Sequence, residues 1–303
     1  MVTCTLKIQN TEIADSFAEA FGMRYTRLVV TAHDRHWLNV GLREFCGYGT
    51  SVILCDAEVG VERYLEPSET PDSRAGANVM LFAFDTDSLQ KAVTKRCSQC
   101  LMTCPTTAVF NGLNTEKRIE LGQHLRFFGD GFQKSKLIGD RRYWRIPVMD
   151  GEFLIEESAG VAKGVAGGNF LIESVDQASG LESARKAVEA IEPLPNVITP
   201  FPGGVVRSGS KVGSRYKGMV ASTSDQFCPT LRGRVDSAIH PDANCVYEIV
   251  IDGADFESVT AAIQAGIDAA INENVVRINA GNYGGKLGKH HFFLRQILEN
   301  HQI

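Results

Sequence analysis

The order strand–helix–strand–strand–helix–strand occurs twice in this 303-residue chain, and that repetition constrains its fold more than any other feature. In the first half RLVVTA, beginning at Arg27, reads as a strand. Asp34 then caps a segment that places Leu38, Gly41, Leu42 and Phe45 on one helical face before Gly47 ends it. SVILCDA (51–57) is expected as the second strand and residues 57–77 as a polar loop. NVMLFAF is the third strand. Asp85 or Asp87 caps a helix with Leu89, Ala92, Val93, Cys97, Cys100 and Leu101 inward, and TTAVF closes the set.

The second half repeats the order. GNFLIES (168–174) is followed by a helix with Leu181, Ala184, Val188 and Ile191 inward, then by NVITPF as a strand and a long loop from Pro202 to about Asn244. CVYEIVI comes next. Asp255 caps a helix with Val259, Ala262, Ile263, Gly266, Ile267, Ala270 and Ile271 inward, and VVRINA ends the unit. At an offset of 170 residues Asp85 falls on Asp255, Leu89 on Val259, Val93 on Ile263, Cys97 on Ile267 and Cys100 on Ala270. The match is one of pattern rather than identity. It predicts an α+β fold of two ferredoxin-like (split βαβ) lobes related by internal duplication, with antiparallel sheets and helices on one face. The boundary is expected near Asp150, giving lobes 1–150 and 151–303. HLRFFGDGFQ and RYWRIPVMDGEFLIEE carry Asp-Gly pairs between strand formers, the usual hairpin signal.

With 44% apolar and 22% charged residues the chain reads as globular, and a net charge of −5 gives nucleic acid no electrostatic footprint. No stretch approaches the ~20 apolar residues of a membrane span, and the N-terminus has no signal-peptide pattern, so a cytoplasmic protein is expected. Its eight cysteines then read as reduced thiols. CSQCLMTCP (97–105) resembles part of a ferredoxin cluster signature. However, Cys97 and Cys100 occupy positions where the second half has Ile and Ala, and no second C-x₂-C supplies further ligands. Core packing is therefore the stronger reading, with a cysteine-ligated electron carrier as the alternative.

GNYGGKLGKHH (281–291) invites comparison with a phosphate-binding loop, but Ala280 stands where the Walker pattern needs its first glycine and Leu287 where it needs Ser or Thr. His290 and His291 are adjacent and make a poor metal pair, and no metal site is expected. No Gly-x-Ser-x-Gly elbow is present. One residue survives: in Cys245–Ile251 the alternation puts Val246, Glu248 and Val250 on one face, so a carboxylate stands in the middle of an otherwise apolar strand. Burial there would raise its pKa and make it a proton donor near neutrality, whereas a solvent-facing or ion-paired Glu248 would be structural.

The segments GYGTSVILCDAE (47–58), SETPDSRAG (68–76), FFGDGFQ (127–133), GVAGGNF (164–170), PFPGG (200–204), SKVGS (210–214), ASTSDQFCPT (221–230), CVYEIVI (245–251) and AGNYGGKLG (280–288) appear in an order that resembles the formylmethanofuran:tetrahydromethanopterin N-formyltransferase family over essentially the whole chain. The resemblance implies a transferase without a prosthetic group. Methanofuran and tetrahydromethanopterin act as cosubstrates, and a formyl group moves between the methanofuran amine and N5 of the pterin. It also implies two ferredoxin-like lobes and a homotetramer. In methanogenic archaea the reaction runs toward the pterin; in methylotrophic bacteria the similar subunit belongs to a formyltransferase/hydrolase complex, so hydrolase subunits are possible partners.

The resemblance further places the catalytic glutamate at Glu248. Backbone N–H groups of Gly167, Gly168, Gly203, Gly204, Gly284 and Gly285 are candidate oxyanion donors, although each glycine is equally a turn residue. Ser210 and Lys211 are expected to meet anionic groups of the cofactors. Asn169 and Asn282, which precede Phe170 and Tyr283, either bind substrate, together with Tyr283, or terminate turns. An alternative within the family is a non-catalytic or partner-dependent subunit.

Overall fold

The computed structural model of the chain describes residues 6–299. Packing divides it into two compact units: Met23–Gly164, and the residues up to Gly22 together with those from Val165 onward. This division differs from the boundary expected near Asp150, for reasons of strand pairing. Gly151–Glu156 hairpins onto Arg141–Val148 and pairs in parallel with Ala108–Asn111, which keeps it with the first unit. Thr11–Ile13 pairs in parallel with Val275–Asn279, which draws the N-terminal residues to the second.

In the Met23–Gly164 unit the strands lie in the order Glu58–Leu65, Ala75–Ala83, Phe17–Ala32 (its part from Met23), Ala108–Asn111, so the second strand of the set is at the edge and the first is central. The helices Arg35–Cys46 and Thr86–Arg96 bury the residues expected of them, Leu38, Gly41, Leu42 and Phe45 on one and Leu89, Ala92 and Val93 on the other. Asp34 and Asp85 are the caps, accepting from the N–H of Trp37 (3.0 Å) and Ser88 (2.8 Å). Beyond Arg96 the helix widens into a π-turn, Cys97–Leu101, closed by Met102 N–H to Cys97 O at 2.9 Å.

Two expectations fail in this unit. SVILCDA is not a strand: it turns back on itself, with Cys55 N–H on Ser51 O (2.8 Å), and leaves Leu54 90% exposed. The strand is the more polar Glu58–Leu65 that follows, whose Glu62 is buried and held by two hydrogen bonds of 2.7 Å from Arg27. An ion pair inside the sheet thus hides the strand from a reading by hydrophobicity. HLRFFGDGFQ is likewise not a hairpin; Gly122–Leu125 and Arg126–Gly129 are helical turns, and Asp130 ends them in the left-handed region (φ 49°). The second Asp-Gly signal does mark a hairpin, between Arg141–Val148 and Gly151–Glu156.

The second unit repeats the strand order. Val197–Ile198 and Val205–Val206 pair with Cys245–Gly253, which pairs with Ala162–Ser174, which pairs with Val275–Asn279, all antiparallel. NVITPF shrinks to two strand residues. The helices Gln177–Ile191 and Phe256–Ala270, capped by Asp176 and Asp255, lie over one face of this sheet and enclose Phe170, Ile172, Ile249 and Ile251. Leu181 is exposed rather than inward, because the helix approaches the sheet on small residues: a Cβ on Gly180 would come within 3.0 Å of Cys245 Sγ and Tyr247 Cε2. That close approach turns the Gly180, Ser183, Ala184 and Ala187 side inward. Gly266 meets Phe170 and Ile191 in the same way, a Cβ there falling 2.8 Å from each.

Gly168 lies under the second helix, where a Cβ would stand 2.4 Å from Val259 Cγ1 with no accommodating left-handed backbone. Gly168→Ala should therefore cost about 1–3 kcal/mol of stability through overpacking, read as a lower urea midpoint at unchanged slope; an unshifted midpoint would contradict this account of the glycine.

Candidate functional site

With both helices on one face, the other face of the second unit's sheet is covered by the long segment after Pro202. Directly opposed residues share a face, so the register Asn169↔Val250, Leu171↔Glu248 and Glu173↔Val246 lines up Asn169, Leu171 and Glu173 with Val246, Glu248 and Val250 on this second side. Two carboxylates thus stand on one sheet face, in opposite circumstances.

Glu173 is fully buried and fully partnered. Arg277 donates from Nε and a terminal nitrogen at 3.0 and 2.9 Å, the backbone N–H of His240 at 2.7 Å, and Asn279 Nδ2 at 3.3 Å. The bidentate guanidinium compensates the buried charge. Glu248, half-buried, has no such partner among the described residues. It lies in a cleft of about 60 Å³ lined by Leu171, Val206, Phe227, Cys228, Val246, Gly281, Ser224 and the segment Arg207–Ser210. Val206 opposes it from the neighbouring strand. Desolvation by these surroundings is the cause that pushes the Glu248 carboxyl up from 4.5 to about 7, so it keeps its proton to near neutrality.

A second cavity, of about 600 Å³, lies in the Met23–Gly164 unit between Arg118, Arg141, Arg142 and the acidic Glu156 and Glu157. It is the larger space, but its buried acid Glu156 is neutralised by Arg141, whose Nε donates at 2.9 Å. Its buried acid is thus committed to an ion pair, and the Glu248 cleft is the stronger candidate for acid chemistry.

Among the residues singled out from sequence, Ser210 lines the cleft with Glu248, and Asn169 reaches it indirectly. The Asn169 side chain grips one residue: Oδ1 accepts from the Gly281 N–H (2.6 Å) while Nδ2 donates to Gly281 O and Gly167 O (3.1 Å each). Gly281 then forms part of the cleft wall. The other candidates are engaged elsewhere. The Gly167 N–H donates to Asp252 Oδ1 (2.9 Å) and that of Gly204 to Phe201 O (2.8 Å), while Gly168 is committed to helix packing. Gly203 and Gly204 shape a turn at positive φ (61° and 73°). Lys211 is tied to Asp225 at 2.6 Å. Asn282 holds its own turn, donating to Phe17 O (3.2 Å) and accepting from Gly284 N–H (3.0 Å). The N–H groups of Tyr283 and Gly285 both go to Glu19 (2.7 and 2.8 Å).

Sequence reasoning did not single out Glu19, Leu171, Val206, Ser208, Ser224, Phe227 or Gly281. Only Glu19 left a signal: a charged residue among the small apolar residues of FAEAF, in a strand whose neighbours Ala18 and Ala20 are buried.

Of the cysteine run, Cys97 belongs to the core, Cys100 packs half-buried against it and Cys104 is half-buried. Cys97 is buried among Leu38, Leu89 and Leu101, and burial pushes the Cys97, Cys100 and Cys104 thiols up, away from the thiolate that a metal ligand requires. His290 and His291 point apart, His290 toward Phe256 and His291 onto Phe17. No helix of the described residues is long and apolar enough to cross a membrane.

Two family models match the chain. One, described as formylmethanofuran-tetrahydromethanopterin formyltransferase, covers residues 6–148, and the other, described as the proximal lobe of FTR, covers residues 151–297. A formylmethanofuran–tetrahydromethanopterin formyltransferase of Methylobacillus flagellatus is 50% identical over 96% of this chain and 99% of its own length. Among solved structures, the formylmethanofuran:tetrahydromethanopterin formyltransferase of Methanosarcina barkeri superposes with a TM-score of 0.91 at 45% identity, covering 96% of this chain and 100% of that one. A chain of the formyltransferase/hydrolase complex of Methylorubrum extorquens, solved with methylofuran, gives 0.94 at 45% identity, covering 97% and 99%.

The state of Glu248 has a consequence for stability. A pKa raised in the folded state means that the native protein holds a proton the unfolded chain releases, so this contribution is complete below 4.5 and is lost as pH rises through about 7. Glu248→Gln does not titrate. Between about pH 5 and about pH 8 the variant should gain on the wild type by up to roughly 3 kcal/mol, measured by urea unfolding at both pH values; parallel pH dependences would refute a protonated Glu248.

Proposed function

The chain belongs to the formylmethanofuran–tetrahydromethanopterin formyltransferase family, and on that premise we propose that Glu248 is the general acid of its reaction. The protein is a transferase that moves a formyl group between formylmethanofuran and tetrahydromethanopterin. In our reading the acceptor atom is N5 of the pterin. Its lone pair attacks the formyl carbon of the methanofuran amide, a tetrahedral oxyanion forms, and collapse breaks the bond from carbon to the methanofuran nitrogen.

An aliphatic amine leaves poorly as its anion, so that nitrogen must be protonated as the bond breaks. The observation that carries the assignment is the desolvated, unpaired carboxyl of Glu248, which holds its proton up to about pH 7 inside a cleft. The proton passes from Glu248 to the departing methanofuran nitrogen. The proton that N5 sheds on acylation returns to the carboxylate, so the enzyme ends each turnover as it began, and the reverse reaction uses the same relay.

The oxyanion requires donors preorganised beside the acid. The N–H groups of Gly167, Gly204 and Gly285 are already bonded within the protein, which moves our proposal for the donors to the segment Arg207–Ser210 and the hydroxyls of Ser208, Ser210 and Ser224 in the cleft wall. Asn169, Asn282 and Tyr283 are read as supports of the loop that carries Gly281.

The repeated strand order, with second, third, first and fourth strands side by side in each unit, supports our description of two ferredoxin-like lobes. We further read the protein as a cytoplasmic homotetramer that carries no prosthetic group. A second reading, a subunit active only within a formyltransferase/hydrolase assembly, is favoured by the likeness to the chain from the Methylorubrum extorquens complex.

The test is an absorbance assay of the purified protein with formylmethanofuran and tetrahydromethanopterin. Wild-type turnover is expected, with a rate that declines as pH rises past about 7, and Glu248→Gln should lower kcat by about 10²–10⁴-fold. A variant that turns over like wild type would remove Glu248 from the chemistry. A silent wild-type protein that becomes active only with hydrolase subunits would support the second reading.

A further inference from the structure

The glycine-rich segment 281–288 is built like an anion-binding nest. Its anion is supplied by the protein itself. Glu19, 1% exposed on the strand Phe17–Ala32, points its carboxylate into the loop and accepts four backbone N–H groups. Tyr283 and Gly285 donate to Oε2 at 2.7 and 2.8 Å, and Leu287 and Gly288 donate to Oε1 at 2.6 Å each.

Burial alone would raise the pKa of this acid, but the four N–H groups outweigh it and hold the carboxyl below its ordinary value, so it is charged at neutral pH. Among the described residues no cation lies in ion-pair contact with Glu19; backbone dipoles alone compensate its charge. The glycines are needed for this wrap: Gly284 and Gly285 both sit at φ 72°, and a Cβ on Gly288 would come within 2.4 Å of Ala20 O and 2.9 Å of Glu19 Cγ. The carboxylate therefore fills the position that a phosphate takes in an open loop of this kind.

The same residue reaches the cleft. The Glu19 N–H donates to Gly281 O at 3.2 Å, and Gly281, whose carbonyl also accepts from Asn169 Nδ2 at 3.1 Å, lines the Glu248 cleft. We propose that Glu19 is a positioning residue: an internal anion that folds the 281–288 loop and thereby fixes the wall of the Glu248 cleft formed at Gly281. This rests on the formyltransferase reading for its functional consequence, though not for its structural one. A misplaced wall shifts the bound reactants relative to the acid, and misplacement on the scale of an ångström costs about a hundredfold in rate.

The experiment compares wild type, Glu19→Gln and Glu19→Ala by amide hydrogen exchange and by formyl transfer. In Glu19→Gln the side-chain amide keeps one acceptor oxygen and turns an NH₂ toward two N–H donors. The expected result is faster exchange confined to Tyr283, Gly285, Leu287 and Gly288, with kcat/KM lower by about 10- to 100-fold. In Glu19→Ala the nest is vacated, so added acetate should slow exchange at these four amides again and restore part of the activity, while leaving wild type unaffected.

Unchanged exchange and kinetics in Glu19→Gln would overturn the proposal. So would loss of the whole fold in both variants, which would make Glu19 a general structural residue, or failure of acetate to act on a folded Glu19→Ala. Because exchange is read without substrate, a wild-type protein with no formyl transfer, alone or with hydrolase subunits, would sink the functional reading and leave the loop role tested on its own.

Discussion

Helices on one side of a sheet leave the other side needing a cover, and that constraint organises the second unit. Gln177–Ile191 and Phe256–Ala270 press against Phe170, Ile172, Ile249 and Ile251 through glycine and alanine, and together they use up the apolar face. What remains is a face bearing Asn169, Glu173, Glu248 and Arg277, roofed by the long irregular segment after Pro202. An irregular cover over polar side chains cannot exclude them from energetics; each buried polar group must find a partner or change its charge.

Three glutamates of this unit meet that demand in three ways. Glu173 is answered by a guanidinium, and the pair ties Val275–Asn279 and the segment around His240 to the central strand. Glu19 is answered by four backbone N–H groups, so its charge is kept and a loop is shaped around it. Glu248 is answered by neither, so the proton itself is the compensation. The third arrangement leaves a proton to give away near neutral pH, which sets Glu248 apart as the acid we propose for the reaction.

The helices and their caps were legible because the information is local. A period of 3.6 and an Asp three residues ahead of an N–H decide them: Asp34 and Asp255 cap as expected, and of the pair Asp85 and Asp87 it is Asp85 that caps. Glu248 was legible because a charged residue breaks a period of two. What escaped depended on partners distant in sequence. Glu58–Leu65 reads as too polar for a strand because Arg27, which neutralises Glu62, lies 35 residues away, and Leu181 turns outward because Gly180 packs against Tyr247. Glu19 lies more than 260 residues from the loop it holds, as the separations of its hydrogen bonds show, and no window of sequence spans that distance.

The glycine-rich loops show how such separation misleads. Read locally, GNYGGKLG offers free N–H groups to a ligand, and the inference is chemically sound for a loop in isolation. In the folded chain an internal carboxylate arrives first, at a local concentration no dissolved anion can match, and converts a binding site into a brace. The same composition that would admit phosphate in one context therefore fixes cleft geometry in this one. The functional weight moves from the glycines to the residues that hold them, Glu19 and Asn169, which both bond Gly281.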